Sequence, residues 1–371
     1  MAKNKKKYWV FTWILVFLVY VFFASQPIPL ENVLEPRWLA SLESGFVINM
    51  GGSPAEAGAV IPFYYGDRFG YIEDDGQFIL NRIKGDGQTL SGSQTLFGTY
   101  LSFSPYAWSE YAAMPSSVEV FDPHNQLIMT INDPKGYPVF LDGRTYIIGS
   151  EQNSVSSLDN QGNVRWTYTF PAPLTAIDAA SGFVLAGTLD GAIELINDTG
   201  EQIFSFEPGG SRLAVIAGCA ISSDGSKLAI ISGIDEQRFL LIEKSGSNFR
   251  VMDHEYLFSG FRRPVQIQFI ENDRKIVFER NGGLGIYDIA SRTSILIPIE
   301  DEIAAIDSGY SRYLFVIGSN GIRKKLICIK LPGEIIFSAP FMSEAVFLNR
   351  RNSRIYAGGD QGIISFELEK K

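Results

Sequence analysis

Two cysteines and two histidines in 371 residues leave little material for metal chemistry or a disulfide framework. Cys219 and Cys328 stand alone in apolar settings, Ala-Gly-Cys-Ala and Leu-Ile-Cys-Ile, which suits small buried hydrophobes. The chain has no Gly-x-x-x-x-Gly-Lys-Ser/Thr loop, no His-Glu-x-x-His pair, no EF-hand loop and no Gly-x-Ser-x-Gly elbow. The common nucleotide, zinc, calcium and serine-nucleophile signatures are therefore missing. Acid is absent from residues 1–25, which carry Lys3, Lys5, Lys6 and Lys7. The remaining 28 basic and 41 acidic residues leave the body at −13. So acidic a body is a poor partner for nucleic acid, where affinity begins with neutralising phosphates.

What the sequence does hold begins at Tyr8. Residues 8–24 are uncharged and rich in Trp, Val, Phe, Ile and Leu, and the next charged residue is Glu31. Seventeen residues rise about 25 Å as a helix, the short end of a bilayer span. Lysines before the run place the N-terminus in the cytoplasm by the positive-inside rule. The expected order is a basic cytoplasmic tail at 1–7, a transmembrane signal-anchor helix at 8–25, a linker at 26–44 and an extracytoplasmic body at 45–371. A cleaved signal peptide shares this layout, but cleavage after Ala24 would put bulky Phe22 where a small residue is wanted. In the linker, 31–42 has the makings of a short helix starting near Pro36, with Trp38, Leu39 and Leu42 available to dock.

After Gly45 the pattern changes to apolar runs of strand length, separated by Gly, Asp, Asn, Ser and Pro. Asp75-Gly76, Asp142-Gly143, Asp190-Gly191 and Asp224-Gly225 read as hairpin turns. The runs recur in sets of four. The set at 138–170 is repeated at 174–206 in strict register, Gly149 answering Gly187 and Gly162 answering Gly200. Sets at 213–253, 265–299 and 303–338 follow, and the last, 344–368, holds three strands. Two less regular sets lie at 59–93 and 95–131. The early strand at 46–50 has no set of its own, so it is free to complete the last sheet and close a ring. The expectation is an all-β propeller of four-stranded blades, eight at about 41 residues each or seven at about 47, preceded by one N-terminal transmembrane helix.

Val155-Ser-Ser-Leu-Asp-Asn-Gln-Gly162, Val164-Arg-Trp166, Gly187-Thr-Leu-Asp-Gly191 and Ile193-Glu-Leu-Ile-Asn-Asp-Thr-Gly200 resemble the pyrroloquinoline-quinone-like propeller repeat. Ala220-Ile-Ser-Ser-Asp-Gly-Ser-Lys-Leu-Ala229 resembles the strand–turn–strand of WD40-like bacterial propellers. The likeness covers about three blades. That repeat family includes quinone-dependent dehydrogenases and the non-enzymatic propeller lipoprotein of outer-membrane protein assembly. The dehydrogenases stack their cofactor on an adjacent cysteine pair, which this chain lacks, and the lipoprotein is held by a lipidated cysteine, also lacking. The resemblance thus implies an extracytoplasmic propeller without a cofactor.

His124 reads as a turn residue in Asp122-Pro-His-Asn125, and His254 as part of a longer connection. The acidic runs Glu73-Asp74-Asp75 and Glu300-Asp301-Glu302 read as solvated turns rather than calcium sites. No residue is assigned to catalysis, a cofactor or a metal. The candidate functional residues are interface-like loops: Phe103, Tyr106, Trp108 and Tyr111 in one, and Tyr256, Phe258, Phe261, Arg262 and Arg263 in another. Their competing use is to plug the space between blades. The resulting expectation is a non-enzymatic, membrane-tethered scaffold for another envelope or membrane protein. The alternative is a small-ligand-binding or hydrolytic propeller working through its central channel.

Overall fold

The computed structural model describes residues 9, 13–17, 32–41, 47–50, 60–65, 68–73, 78–83, 99–257, 260–307, 312–344, 346–351 and 354–370. The chain forms two compact units, 1–35 with 367–371, and 36–366. In the first, Trp9 and 13–17 are helical, and the Trp9 and Trp13 rings meet edge to face at 5.8 Å. Among the described residues no helix is long and apolar enough to cross a membrane. Most of the expected anchor at 8–25 lies outside them.

The strands form eight sheets among the described residues, seven of four or more strands and one of three. Sheet 1 holds Val60–Tyr65, Arg68–Glu73 and Phe78–Ile83; the fourth strand expected near 89–93 lies outside the described residues. Sheet 2 is Thr99–Phe103, Trp108–Ala112, Ser117–Phe121 and Leu127–Asn132. Sheet 3 is Gly136–Leu141, Arg144–Gly149, Ser154–Leu158 and Val164–Thr169. Sheet 4 is Leu174–Ala180, Phe183–Thr188, Ile193–Ile196 and Gln202–Phe206. Sheet 5 is Ile216–Ile221, Lys227–Ser232, Arg238–Ser245 and Asn248–Tyr256. Sheet 6 is Ile267–Ile270, Lys275–Arg280, Gly283–Asp288 and Thr293–Pro298. Sheet 7 is Glu302–Ile306, Tyr313–Asn320, Arg323–Lys330 and Glu334–Met342. Sheet 8 takes Val346–Arg351, Arg354–Gly359 and Gly362–Lys370 from the C-terminus, then Asn32–Ser41 and Val47–Asn49 from the N-terminus.

Sheet 8 corrects the reading of the linker. Residues 32–41 are a strand, not a short helix. Propensity alone allowed a helix at Leu, Glu, Arg and Ala, but the open edge of Gly362–Lys370 supplied ladder partners, and tertiary pairing overrides a weak local preference. Trp38 and Ala40 are buried there, while Leu39 is exposed. The strand expected near 46–50 is present as Val47–Asn49, but it lies outside Asn32–Ser41, pairing Leu39 with Ile48. Both chain ends thus share one sheet, through two N-terminal strands rather than one.

Neighbouring sheets pack face to face in chain order. Tyr71 of sheet 1 is fully buried against Leu101 and Trp108 of sheet 2 and donates its hydroxyl proton to Ser104 O at 2.9 Å. Val118, Val120 and Ile131 meet Phe140 and Ile147 between sheets 2 and 3. Tyr146 and Ile148 meet Val184 and Ile196 between sheets 3 and 4. Leu185 and Leu195 meet Ile216 and Ile230 between sheets 4 and 5. Phe239 stacks on Phe278 at 4.8 Å between sheets 5 and 6. Val277 and Ile286 meet Val316 and Ile327 between sheets 6 and 7. Asp307 reaches from the end of sheet 7 to Arg350 of sheet 8, and the first strand of sheet 8 lies against that of sheet 1. The sheets therefore close into a ring. Central strands are buried on both faces, as in Ile193–Ile196, which is why they read as unbroken apolar runs.

The repeated turns have a physical basis. Asp122 Oδ1 accepts the N–H groups of His124 and Gln126 at 2.9 and 2.8 Å. Asp159 Oδ1 does the same for Gln161 and Asn163, and Asn197 Oδ1 for Thr199 and Glu201. These Asx turns bring Gly162 and Gly200 to positive φ, +85° and +84°. A Cβ at Gly162 would come within 2.6 Å of Thr130 O, and at Gly200 within 2.7 Å of Trp166 Cβ. Each glycine lets its turn press on the outer strand of the preceding sheet, so the register of glycines in the sequence is a register of inter-sheet contacts.

Candidate interaction surfaces

Phe103 and Trp108 pair across the end of the first strand of sheet 2. The Trp108 indole N–H donates to Asp122 O at 3.0 Å and its ring stacks on Phe121 at 4.9 Å. Tyr106 is exposed, its hydroxyl accepting the Gly143 N–H at 2.7 Å. Tyr111 lies at the other end of the sheet, opposite Tyr100, with its ring between those of Tyr100 and Tyr137 at 6.0 and 6.4 Å. Tyr111 is thus a plug between sheets 2 and 3, whereas Phe103 and Tyr106 are open to solvent.

The second loop opens at Tyr256, the exposed end of the outer strand of sheet 5, where the Arg238 guanidinium lies 5.4 Å from its ring centroid. Phe261 packs on the core between sheets 5 and 6 and carries the Arg263 guanidinium at 4.6 Å. Arg263 forks onto buried Glu279 at 2.9 and 2.5 Å and reaches Glu302 at 3.1 Å, which holds its pKa up. Arg262 is exposed, and Phe258 lies outside the described residues. His254 is on the outer strand of sheet 5 rather than in the connection after it.

The two loops do not converge. Residues 103–106 end a first strand, while 257–266 lead into the start of the next one. First strands run the same way round the ring, since the Val265 N–H donates to Ala217 O near the start of its neighbour. Tyr106 and Arg263 therefore lie at opposite faces of the ring.

The polar groups nearest to chemistry are tied into the fold. Burial pushes the Asp178 carboxyl up from 3.8 to about 6, although it accepts the N–H groups of Ile221 and Ala179 at 2.9 Å each. It thereby pins sheet 4 to sheet 5. Burial raises the thiols of Cys219 and Cys328, the latter to about 12, and neither is in a disulfide. Asp301 and Glu302 are held by Lys325 and Arg263 at 3.0 and 3.1 Å. Among the described residues no group of three His, Cys, Asp or Glu side chains is placed to hold a metal ion.

A surface absent from the sequence reading lies along the outer strands of sheets 6 and 7. Ile295 and Leu296 are exposed on one, and Ile335, Ile336, Phe337 and Met342 on the other. Gly333 brings the two together, since a Cβ there would lie 2.8 Å from Ile295 Cδ1. Beside this belt a groove of about 670 Å³ runs between sheets 7 and 8, lined by Leu326, Ala339, Phe341, Ala357 and Leu39 among others and by no charged residue. Two larger grooves, of 840 and 950 Å³, are lined by charged side chains such as Arg144 and Arg165, or Asp224 and Lys275. The missed signal was the composition of Glu334-Ile-Ile-Phe337. Outer strands such as Val164–Thr169 alternate in exposure, whereas 334–338 is exposed at every position.

Among known proteins, the chain is 26% identical over 309 residues to a Treponema pallidum (strain Nichols) protein described as uncharacterized, a match covering 82% of this chain and 78% of the relative. The crystal structure of BamB from Moraxella catarrhalis is similar in fold, with a TM-score of 0.53 and 12% identity over 92% of this chain and 99% of that one. The computationally designed Ika8 protein is similar at a TM-score of 0.57 and 15% identity, over 84% of this chain and 96% of the design. A family model described as "beta-propeller protein" matches residues 1–371, and with its closed ring of four-stranded sheets this chain belongs to the β-propeller proteins.

Proposed function

We propose that the chain is a docking platform for proteins of the cell envelope: an eight-bladed propeller, its three-stranded sheet counted as a blade, tethered to the cytoplasmic membrane by residues 8–25. The carrying observation is the set of exposed apolar side chains on the outer strands of sheets 6 and 7, Ile295, Leu296, Ile335, Ile336, Phe337 and Met342. Large apolar side chains gathered on the surface of a folded domain mark an interaction site, because leaving them in water carries a standing free-energy cost. The uncharged run at 8–24 behind four lysines supports the tether and the extracytoplasmic side. A tether also raises the effective concentration of the ring near membrane partners.

The test is photocrosslinking in intact cells, with a photoreactive residue at Ile336 and, as a control, at exposed Val164 on the outer strand of sheet 3. A discrete adduct from position 336, lost when residues 8–25 are deleted, is expected. Equal, diffuse labelling from both positions would overturn the docking reading.

A further inference from the structure

The outermost strand of sheet 7, Glu334–Met342, pairs with Arg323–Lys330 on one side and ends the sheet on the other. An edge presents a row of backbone donors and acceptors and is a template for another strand unless charge, proline or a bulge blunts it. Here the blunting is partial. Pro340 removes a donor toward one end, Glu334, tied to Lys330 at 3.7 Å, is the strand's only charge at the other, and a register shift opposite Cys328 and Ile329 leaves Ile336 bulged between them. Between them Ile335, Ile336 and Phe337 stand exposed, and Ala339 and Phe341 line the uncharged groove. Backbone to extend a sheet, with an apolar trough for alternate side chains, is the requirement for strand addition.

Charge and geometry select the occupant. The adjoining strand reads Arg323-Lys324-Lys325-Leu-Ile-Cys-Ile-Lys330, four cations in a body that carries −13 beyond its first 25 residues. Lys325 is bound to Asp301, Lys330 to Glu334 and Lys324 to Ser319 at 2.7 Å. Arg323, opposite Met342, is exposed and has no ion pair among the described residues. A second copy fits poorly: antiparallel self-pairing about Phe337 would set a Pro340 at each end of the ladder and bring two acidic bodies together. An extended segment with carboxylates fits better.

We propose that the 334–339 edge of sheet 7 binds an extended segment of a partner protein by strand addition, apolar side chains alternating along it and a carboxylate lying toward Arg323. This rests on the docking reading above and names its mode and the partner's chemistry.

A displayed library of nine-residue peptides, selected on the full-length protein, provides the probe. Enriched peptides are expected to alternate β-branched or aromatic residues and to carry Asp or Glu toward one end. Their binding should fall about tenfold or more with Phe337→Asp. It should fall as much when the peptide backbone is N-methylated at alternate positions. Arg323→Glu should weaken it severalfold at low salt, and added salt should shrink that difference. Phe337 is exposed, so Phe337→Asp should leave the unfolding midpoint unchanged; Ile336→Lys is the second variant.

Failure to enrich any peptide over the Phe337→Asp protein would overturn the proposal, and so would indifference to N-methylation. A dimer in sedimentation that Phe337→Asp dissolves would overturn it in favour of a second copy. If position 336 crosslinks in cells while N-methylation is harmless, strand addition fails and the docking reading stands. If position 336 does not crosslink above the control, the docking reading itself fails.

Discussion

Ring closure is tested most directly at Arg350. The guanidinium donates to Asp307 Oδ2 at 3.1 Å and to Tyr313 O at 2.8 Å, and lies 5.7 Å from the Phe315 ring centroid. The two side chains are 4% and 1% exposed, so both charges have left water. Replacing Arg350 by Met keeps much of the volume and removes the cation, leaving the Asp307 carboxylate enclosed beside sheet 8 without its counter-ion. Breaking a buried pair from one side costs about 3–5 kcal/mol. Replacing both groups removes the stranded charge, and a well-packed apolar pair in such a place is close to neutral. Arg350→Met should therefore lower the stability of the propeller by about 3–5 kcal/mol, read as a drop in the urea midpoint at constant slope. Combined with Asp307→Leu it should recover most of that loss, giving a coupling energy of about 2 kcal/mol or more. A single variant that costs under about 1 kcal/mol, or a double variant whose loss equals the sum of the singles, would refute the argument that this pair latches sheet 7 to sheet 8.

Asp178 gives a pH signature of opposite sign to the usual carboxylate. Its pKa is raised from 3.8 to about 6 by burial, so the folded state holds a proton that the unfolded chain has already lost. Stability from this group should be fullest below pH 4 and fall as pH rises to 6, by roughly 2–3 kcal/mol. Asp178→Asn should remove that slope in urea melts between pH 4 and 7, and an unchanged slope would count against the assignment. At the junction of the chain ends, Trp38 is 3% exposed with its ring 5.9 Å from Tyr356. Trp38→Ala should cost about 3–5 kcal/mol and reduce amide-exchange protection in Gly362–Lys370 before the other sheets. Uniform loss around the ring would contradict the idea that the N-terminal strand closes it.

How much of this was legible follows from what each segment depends on. Arg144–Gly149, Phe183–Thr188, Lys275–Arg280 and Arg354–Gly359 each fall inside a set that the sequence marks. They are second strands, walled by neighbours on both faces, so their apolar runs and the turn residues around them are set locally. Asn32–Ser41 was misread because its strand state depends on a partner more than three hundred residues away. The aromatic loops were found by composition, but composition does not say at which face of a ring a loop emerges, and that is why Tyr106 and Arg263 were not seen to part company. The belt on sheets 6 and 7 was passed over because an apolar strand reads as core until its place in the sheet is known.

That last point bears on function. In this ring the Asx turns, the glycines behind them and the doubly buried central strands are repeated because each does the same structural task in successive blades. Outer strands carry no such obligation: one face and one edge meet water, and their polarity is free to vary. Thr167 hydrogen-bonds Ser156 across the surface of sheet 3, and Arg165 meets Asp198 of sheet 4 at 3.2 Å, both ordinary solvated solutions. Against that background, Ile295, Leu296, Ile335, Ile336 and Phe337 depart from what solubility favours on two adjacent blades. Folding does not require the departure, since the outer strand of sheet 3, Val164–Thr169, closes its blade with mostly polar side chains. The residues that folding leaves unexplained are therefore the ones on which the docking reading stands.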